Sequence, residues 1–463
     1  RINHKIETEK RNRILLLLFV GVFMGALDIG IIGPALPAIE GYFKVDPRLA
    51  SWTFISYILF FMVGTPLMAK LSDRYGRRDI YILDIILFAL GSVITAISPS
   101  YPLLILGRSI QGFGAGGIFP VASAFIGDTF PPESRGKALG IIGSVLGFSS
   151  IAGPILAGFI LPYGWQWLFL INIPIAATIV VGGFLMLPVT GKTDDGEFDA
   201  RGTLLLAIIV ASLAVGINQI DTTDLTGSLM RPIVVVPLIL AAALTPIFWR
   251  VERAAPDPVV QVDLLASREV RIATAISAGN GLSQAAIVFI PRYAFFALSL
   301  SESMASFSFL PFVTTMAFSA PIVGVLLDRV GSRVVMISGS LILMVGCTIM
   351  ALLSSTTPLF ILAEVLMALG LITVIGAPLR YIMLSETPPE HRASGQALIN
   401  ILSSAGQLVG GALIGGIVAS MGSGVMGYRF SFLFLVAVAF TLFLLSTGLK
   451  GRKEQLETMK GNI

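Results

Sequence analysis

Cysteine occurs once in the 463 residues, as Cys347, and histidine twice, as His4 and His391. A single cysteine excludes an intrachain disulfide, and without a Cys/His cluster no metal site is expected. Both histidines stand in polar stretches and read as solvated surface residues. Charge is scarce too: Asp, Glu, Lys and Arg make up 13% of the chain, against about 25% in a soluble globular protein. No phosphate-cradling P-loop or Gly-rich nucleotide motif of the required spacing appears, which disfavours ATP as a driving force. No His- or Asp-rich catalytic cluster is visible, so no enzyme is expected.

What the chain has instead is apolar sequence, 55% of all residues, with a mean hydropathy of +0.89. Apolar runs of about 18 residues or more recur along its length, the signature of an α-helical integral membrane protein. Helices are required because backbone polar groups inside lipid must be paired within each span. We read fourteen spans: 14–36, 50–69, 79–98, 102–127, 137–161, 167–188, 202–219, 232–249, 272–298, 304–327, 334–353, 358–383, 395–420 and 430–449. The polar start "RINHKIETEKRNR" leads into a span too long for a signal h-region, so no cleaved signal is expected. Of the 31 Lys and Arg residues, Lys44, Arg48, Arg231 and Arg429 fall in one set of loops. Arg108, Arg292 and Arg380 fall within spans, and the remaining 24 lie on the opposite side. The positive-inside rule then places both termini in the cytoplasm. Trp52, Trp165 and Trp167 fall near outer span ends, where interfacial aromatics belong.

The two ends of the chain resemble each other. "AKLSDRYGRRDIYI" (69–82) matches "GVLLDRVGSRVVMI" (324–337), aligning Asp73 with Asp328, Arg74 with Arg329, Gly76 with Gly331 and Arg78 with Arg333. "SYPLLILGRSIQGFG" matches "TTPLFILAEVLMALG", and "FPPESRG" matches "TPPEHRA", at a steady offset of 255–257 residues. Spans 1–6 and 9–14 are therefore two copies of one six-helix unit, with spans 7–8 inserted. The expected domains are 14–188, 202–249 and 272–449. Parallel repeats with substrate held near the midplane are a transporter pattern.

These residues resemble the major facilitator superfamily over nearly the whole chain. "AKLSDRYGRR" resembles its loop 2–3 signature, with Ala69 in place of the usual leading Gly. "GRSIQGFGAG" (107–116) resembles the span-4 signature with its buried Arg, and "GSVLGFSSIAGPILAG" (143–158) the span-5 Gly-Pro signature of antiporters. "LDIGIIGPALPAI", "WQWLFLINIPIA", "FDARGTLLLAI" and "DPVVQVDLL" are similar to the fourteen-span drug:proton antiporter branch. That resemblance implies an all-α integral membrane fold: two six-helix bundles plus two inserted central transmembrane helices. Tetracycline exporters often carry an acid within the span-5 motif; Ser149, Ser150 and Ile151 stand there, which argues against tetracycline.

The resemblance also implies roles. Loop 2–3, with Asp73, Arg74, Gly76 and Arg77, steadies one conformational state. Asp73 is placed to cap a helix of the other half, and Arg77 to pair with Asp128. In span 5, Gly153 and Pro154 give a small, bent face for close helix approach, and in this family the contact of that face with the C half seals a leak path.

The buried charges are the sharpest feature. Asp28 stands eight residues from the outer end of span 1, about 12 Å deep at ~1.5 Å per residue. Arg108 lies about 9 Å into span 4 by the same rise, and Glu364 occupies the equivalent place in span 12. All three are expected in one layer lining the cavity this fold encloses. Each costs at least about 2.5–3.5 kcal/mol to insert, and such groups mark function. Arg108 is a fixed positive charge, while Asp28 and Glu364 titrate. Burial favours a protonated acid and a neighbouring Arg an ionised one, so proton and cation compete for one site. Glu364 reads substrate charge or forms a structural ion pair. Asn280 and Gln284 share one face of span 9 and bind substrate or join helices. Tyr57 and Tyr293 are candidate aromatic walls for organic cations. Asp84 reads as a snorkelled or packing residue, and Arg292 and Arg380, towards span ends, as snorkelled.

The expected activity is proton-coupled efflux of amphipathic, cationic or zwitterionic, drug-like compounds. The proton gradient drives it, no cofactor is needed, and the protein is a plasma-membrane monomer without a nucleic-acid partner. A lipid or amphiphile translocase, a nutrient symporter and a non-transporting sensor remain open.

Overall fold

The computed structural model describes residues 2–129, 132–189, 199–375, 377–387 and 392–461. Among them every regular element is a helix. We number the long ones α1 (Ile2–Phe43), α2 (Trp52–Tyr75), α3 (Arg77–Ile97), α4 (Tyr101–Thr129), α5 (Pro132–Ile160), α6 (Asn172–Met186) and α7 (Ala200–Asn218). They continue as α8 (Pro232–Ala254), α9 (Arg268–Ala297), α10 (Leu310–Val330), α11 (Ser332–Leu352), α12 (Thr357–Val374), α13 (Arg392–Ser420) and α14 (Val425–Thr447). Separate helices Ala377–Glu386 and Arg452–Gly461 follow α12 and α14.

Thirteen stretches of the described residues are long and apolar enough to cross a membrane. The expected span 137–161 falls on α5, where the described apolar run, Phe148–Tyr163, is shorter than the others. Helix α1 begins at Ile2, which puts His4 on a helix and not in the polar loop expected for it. His391 lies outside the described residues.

The internal repeat is visible in backbone detail. Gly76 precedes α3 at φ 106°, and its repeat mate Gly331 precedes α11 at φ 83°. Only glycine takes this region without strain, so both copies make the same tight turn. The packing repeats as well. α1 lies on α5 and α9 on α13, while α3 lies on α4 and α11 on α12. At the first type of contact a Cβ on Gly153 would fall 2.6 Å from the Gly30 carbonyl carbon, and one on Gly406 3.0 Å from the Gly281 Cα. At the second, a Cβ on Gly91 would meet the Gln111 backbone and one on Gly346 the Met367 backbone. Backbones approach this closely only where small residues face each other.

The chain divides into two compact units, one of Arg1–Phe43 with Ser56–Phe198, the other of Lys44–Ile55 with Asp199–Ile463. The inserted α7 and α8 belong to the second unit, packed on each other, with α7 also on α13. Asn218, fully buried at the end of α7, ties them down. Its Nδ2 donates to Ser51 Oγ (3.2 Å) and the Ala412 carbonyl (3.0 Å), and its Oδ1 accepts from Trp52 Nε1 (3.2 Å).

The tryptophans do not all sit as interfacial residues. Trp167 is exposed, whereas Trp165 is buried among Tyr42, Phe43 and Phe169.

Candidate functional site

The first unit holds a buried polar network built from four helices. Asp28 on α1 and Arg108 on α4 are 0% and 1% exposed, and Arg108 Nη1 lies 2.7 Å from Asp28 Oδ2. Gln111, one helical turn after Arg108, donates from Nε2 to Asp28 Oδ1 (2.8 Å) and accepts from Arg108 Nη1 at Oε1 (2.8 Å). The same Gln111 Nε2 donates to Ser92 Oγ on α3 (3.0 Å), which also accepts from Asn172 Nδ2 on α6 (3.3 Å). The Arg108 guanidinium stands 4.3 Å from the Tyr57 ring centroid on α2 and 5.6 Å from that of Phe169. Tyr57, expected as an aromatic wall, is therefore stacked on the arginine, and its buried hydroxyl has no hydrogen-bond partner among the described residues.

Both Asp28 oxygens are thus occupied by donors. A buried ion pair persists only where such additional hydrogen bonds satisfy it. The sequence pointed to Asp28 and Arg108, but Gln111, Ser92, Asn172 and Phe169 were missed. Gln111 was readable, standing at i+3 from Arg108 inside the quoted "GRSIQGFG"; Ser92 and Asn172 lie in apolar runs that carry no such signal.

At the end of the same unit, Arg77 collects partners from two helices. It pairs with Asp73 and donates to Ser72 Oγ (2.7 Å) on α2, and its Nε donates to Asp128 Oδ2 (2.9 Å) on α4. Arg74 is exposed beside Tyr75, and Arg78 pairs with Asp79 at 2.9 Å. Gly76 supplies the turn that brings Arg77 back over α2. In span 5, Gly153 faces Gly30 of the same unit, and Pro154 follows it inside α5.

The second unit differs. Glu364 on α12 is fully buried, and neither carboxylate oxygen has a hydrogen-bond partner among the described residues. Asn280 on α9 is 2% exposed, with its Oδ1 unpartnered among the described residues. Gln284 takes part in an interhelical chain to α13, donating to Ser403 Oγ and accepting from Gln407 Nε2, each at 3.3 Å.

Two residues, Tyr293 and Arg292, sit otherwise than their sequence suggested. Tyr293 is enclosed by Phe360, Tyr428 and Phe432, with its hydroxyl 2.8 Å from Ser354 Oγ and donating to the Met350 carbonyl. It is a packing residue of the second unit in this conformation. Arg292 does not snorkel to solvent, because it is buried with its guanidinium 4.0 Å from the Phe296 ring centroid. Of the two readings of Asp84, snorkelled or packing, burial fits the second: it is completely enclosed, with neither oxygen partnered among the described residues. Arg380 is exposed, as expected. Among the described residues no group of three His, Cys, Asp or Glu side chains is placed to hold a metal.

Comparison with known proteins agrees with this architecture. The family model described as Major Facilitator Superfamily matches residues 18–251 and 272–460. The chain is 32% identical to the uncharacterized MFS-type transporter YfiU of Bacillus subtilis, over 89% of this chain and 81% of that protein. It is 27% identical to the riboflavin transporter RibZ of Clostridioides difficile, over 83% of each. It is 29% identical to multidrug resistance protein 3 of Bacillus subtilis, over 74% of this chain and 66% of that protein. Among solved structures, the nucleoside transporter NupG superposes with a TM-score of 0.68 at 14% identity, covering 94% of this chain and 99% of the other. The repeated helical unit, the buried ionic network and these relatives lead to one family: the chain belongs to the Major Facilitator Superfamily and is a multi-pass membrane transporter of that type.

Proposed function

We propose that the protein is a proton-coupled antiporter that exports amphipathic, cationic or zwitterionic compounds by alternating access. The observation that carries this reading is the contrast between its two buried acids. Asp28 is closed off by Arg108 and Gln111, whereas Glu364 has no partner among the described residues. An isolated carboxylate in a low-dielectric interior is costly, so Glu364 holds a proton or meets a cation. Those two ligands exclude one another, and their competition is exchange of a proton for a cationic substrate.

On this reading Arg108 and Asp28 set the fixed charge of the first unit. Tyr57, Asn280 and Gln284 contribute to the substrate surface, Tyr293 supports it, and Glu364 reads charge. Asp73, Arg74, Gly76, Arg77 and Asp128 form a conformational latch, while Gly153 and Pro154 shape the α1–α5 contact. Fourteen spans, with the fifth on α5, complete the drug:proton branch topology. Both termini lie in the cytoplasm of a plasma-membrane monomer, and the functional division is 14–188, 202–249 and 272–449. Relatives named for multidrug resistance support the substrate class.

The test is transport in proteoliposomes under an imposed pH gradient, with a panel of cationic, zwitterionic and neutral amphiphiles. Riboflavin belongs in that panel because one relative is named for it. Collapse of the gradient is expected to abolish uphill movement of the cations. Cation movement that ignores the gradient excludes coupling, and movement of fluorescent lipids insensitive to competing drugs assigns the protein to lipid translocation.

A further inference from the structure

Asp84 is a buried acid that neither the ionic network nor the charge-reading role of Glu364 uses, and unlike buried Glu252 and Glu269, each of which accepts a backbone N–H, it has neither oxygen partnered among the described residues. It lies on α3, completely enclosed, with both carboxyl oxygens unpartnered among the described residues. The space it fills is cut by glycine. A Cβ on Gly117 of α4 would overlap the carboxyl itself, and one on Gly114 would press on the Asp84 carbonyl and the Phe88 nitrogen.

Among the described residues the surroundings offer no counter-charge. α4 presents those two glycines. α6 and the short helix Gln166–Leu170, both packed on α3, contain no titratable side chain. The one titratable neighbour on α3 itself is Tyr81, whose hydroxyl donates to the Leu18 carbonyl of α1 (3.4 Å) and rests against Gly21. A carboxylate with neither cation nor donor is too costly to bury, whereas a neutral carboxylic acid is affordable.

Its position on α3 is also informative. Ser92, eight residues on and about 12 Å away along the axis, belongs to the Asp28–Arg108–Gln111 network. Arg77, seven residues back and about 10 Å away, belongs to the Asp73–Asp128 cluster at the helix end. Asp84 stands between the two, on the helix that joins them.

We propose that Asp84 is a proton-binding site of the transport cycle: a neutral carboxylic acid in this conformation, which exchanges its proton with the medium as the protein cycles. The cyclic part rests on the antiport reading above; the protonated acid rests on the geometry alone.

Infrared difference spectroscopy of the full-length protein in liposomes, recorded across a pH step, reads the carbonyl stretch of protonated carboxylic acids directly. Wild type is expected to show such absorption, and Asp84→Asn to lose a component of it that Glu364→Gln retains. A band identical in both proteins overturns the proposal. Where Asp84→Asn fails to elute as a single folded species, Gly117→Ala serves instead. It crowds the carboxyl and is expected to shift the band, and an unshifted band overturns the assignment.

Uphill transport is measured on the same liposomes. A gradient of one pH unit sustains about a tenfold accumulation per exchanged proton, and Asp84→Asn is expected to lose it. Wild-type accumulation in Asp84→Asn removes Asp84 from the cycle. The two readings fail separately. If wild type ignores the gradient while Asp84→Asn still removes the band, antiport is wrong and Asp84 still binds a proton.

Discussion

Arg108 Nη1 reaches both Asp28 Oδ2 at 2.7 Å and Gln111 Oε1 at 2.8 Å, and Gln111 closes the triangle on the second Asp28 oxygen. Removing one corner leaves a charge that cannot reach water. Asp28→Asn is expected to lower stability by about 3–5 kcal/mol, the cost of an uncompensated buried charge. The double variant Asp28→Asn/Arg108→Gln is expected to recover part of that loss, because no charge is then stranded. Thermal unfolding in detergent of both single variants and the double variant measures this. Strict additivity of the two single losses is the contrary result.

Glu364 calls for the opposite behaviour. With no partner to strand, Glu364→Gln is expected to fold normally and to change selectivity. Its affinity for monocations should fall at least about tenfold, or ~1.4 kcal/mol, while neutral amphiphiles bind as before. Equilibrium binding across a matched cationic and neutral pair decides it, and equal losses for the two remove the charge-reading role.

How much of this was legible beforehand depends on what each helix face meets. The repeat, the helical spans and the exceptional charges Asp28, Arg108 and Glu364 stood out because polar residues are rare in apolar runs. Which face of a span turns inward did not, because lipid and protein interior are both apolar and leave little amphipathic contrast along the helix. Asp84 was therefore left between a snorkelled and a packing residue, and Arg292 was read as a span-end anchor instead of a cation stacked on Phe296. Ser92 and Asn172 gained meaning only when Gln111 was seen to reach the first, and the first to accept from the second.

Arg77 separates stability from switching. Its partners Asp73 and Asp128 are 27% and 37% exposed, and ion pairs this open are worth roughly 0–1 kcal/mol. Arg77→Ala is expected to leave the melting temperature within a few degrees of wild type while slowing transport. Arg77→Lys should not restore the rate, since an ammonium cannot span Asp73, Ser72 and Asp128 as the planar guanidinium does. Initial rates in proteoliposomes measure this, and full activity in Arg77→Ala excludes the latch.

The glycine pairs give matched tests in the two repeats. Gly153→Ala places a Cβ 2.6 Å from the Gly30 carbonyl carbon, and Gly406→Ala places one 3.0 Å from the Gly281 Cα and closer still to the Ala278 carbonyl. Both contacts are with backbone, which cannot step aside as a side chain can. Each substitution is expected to cost about 1–3 kcal/mol, seen as a lower melting temperature. Loss in one repeat alone shows that the close approach matters in that unit only.

One buried side chain at the end of α7 bonds to two other segments, so its part in holding the inserted helices can be tested apart from transport. Asn218 accepts from Trp52 Nε1 and donates to Ser51 Oγ and the Ala412 carbonyl, joining α7 to the segment before α2 and to α13. Asn218→Ala withdraws both donor bonds and the acceptor at once, at a cost of about 1–3 kcal/mol for buried groups that lose their partner. Asn218→Asp keeps the acceptor but adds a charge where two acceptors already sit, and is expected to be the worse of the two. The loss should be local: limited proteolysis within 219–231 quickens, while substrate binding in the same preparation is unchanged. Asn218→Gln preserves the amide on a longer arm and should fall between wild type and alanine. Cleavage at the wild-type rate in Asn218→Ala shows that the packing of α7 on α13 and of α8 on α7, with the Ser420 and Arg48 bonds to 220–222, suffices without Asn218.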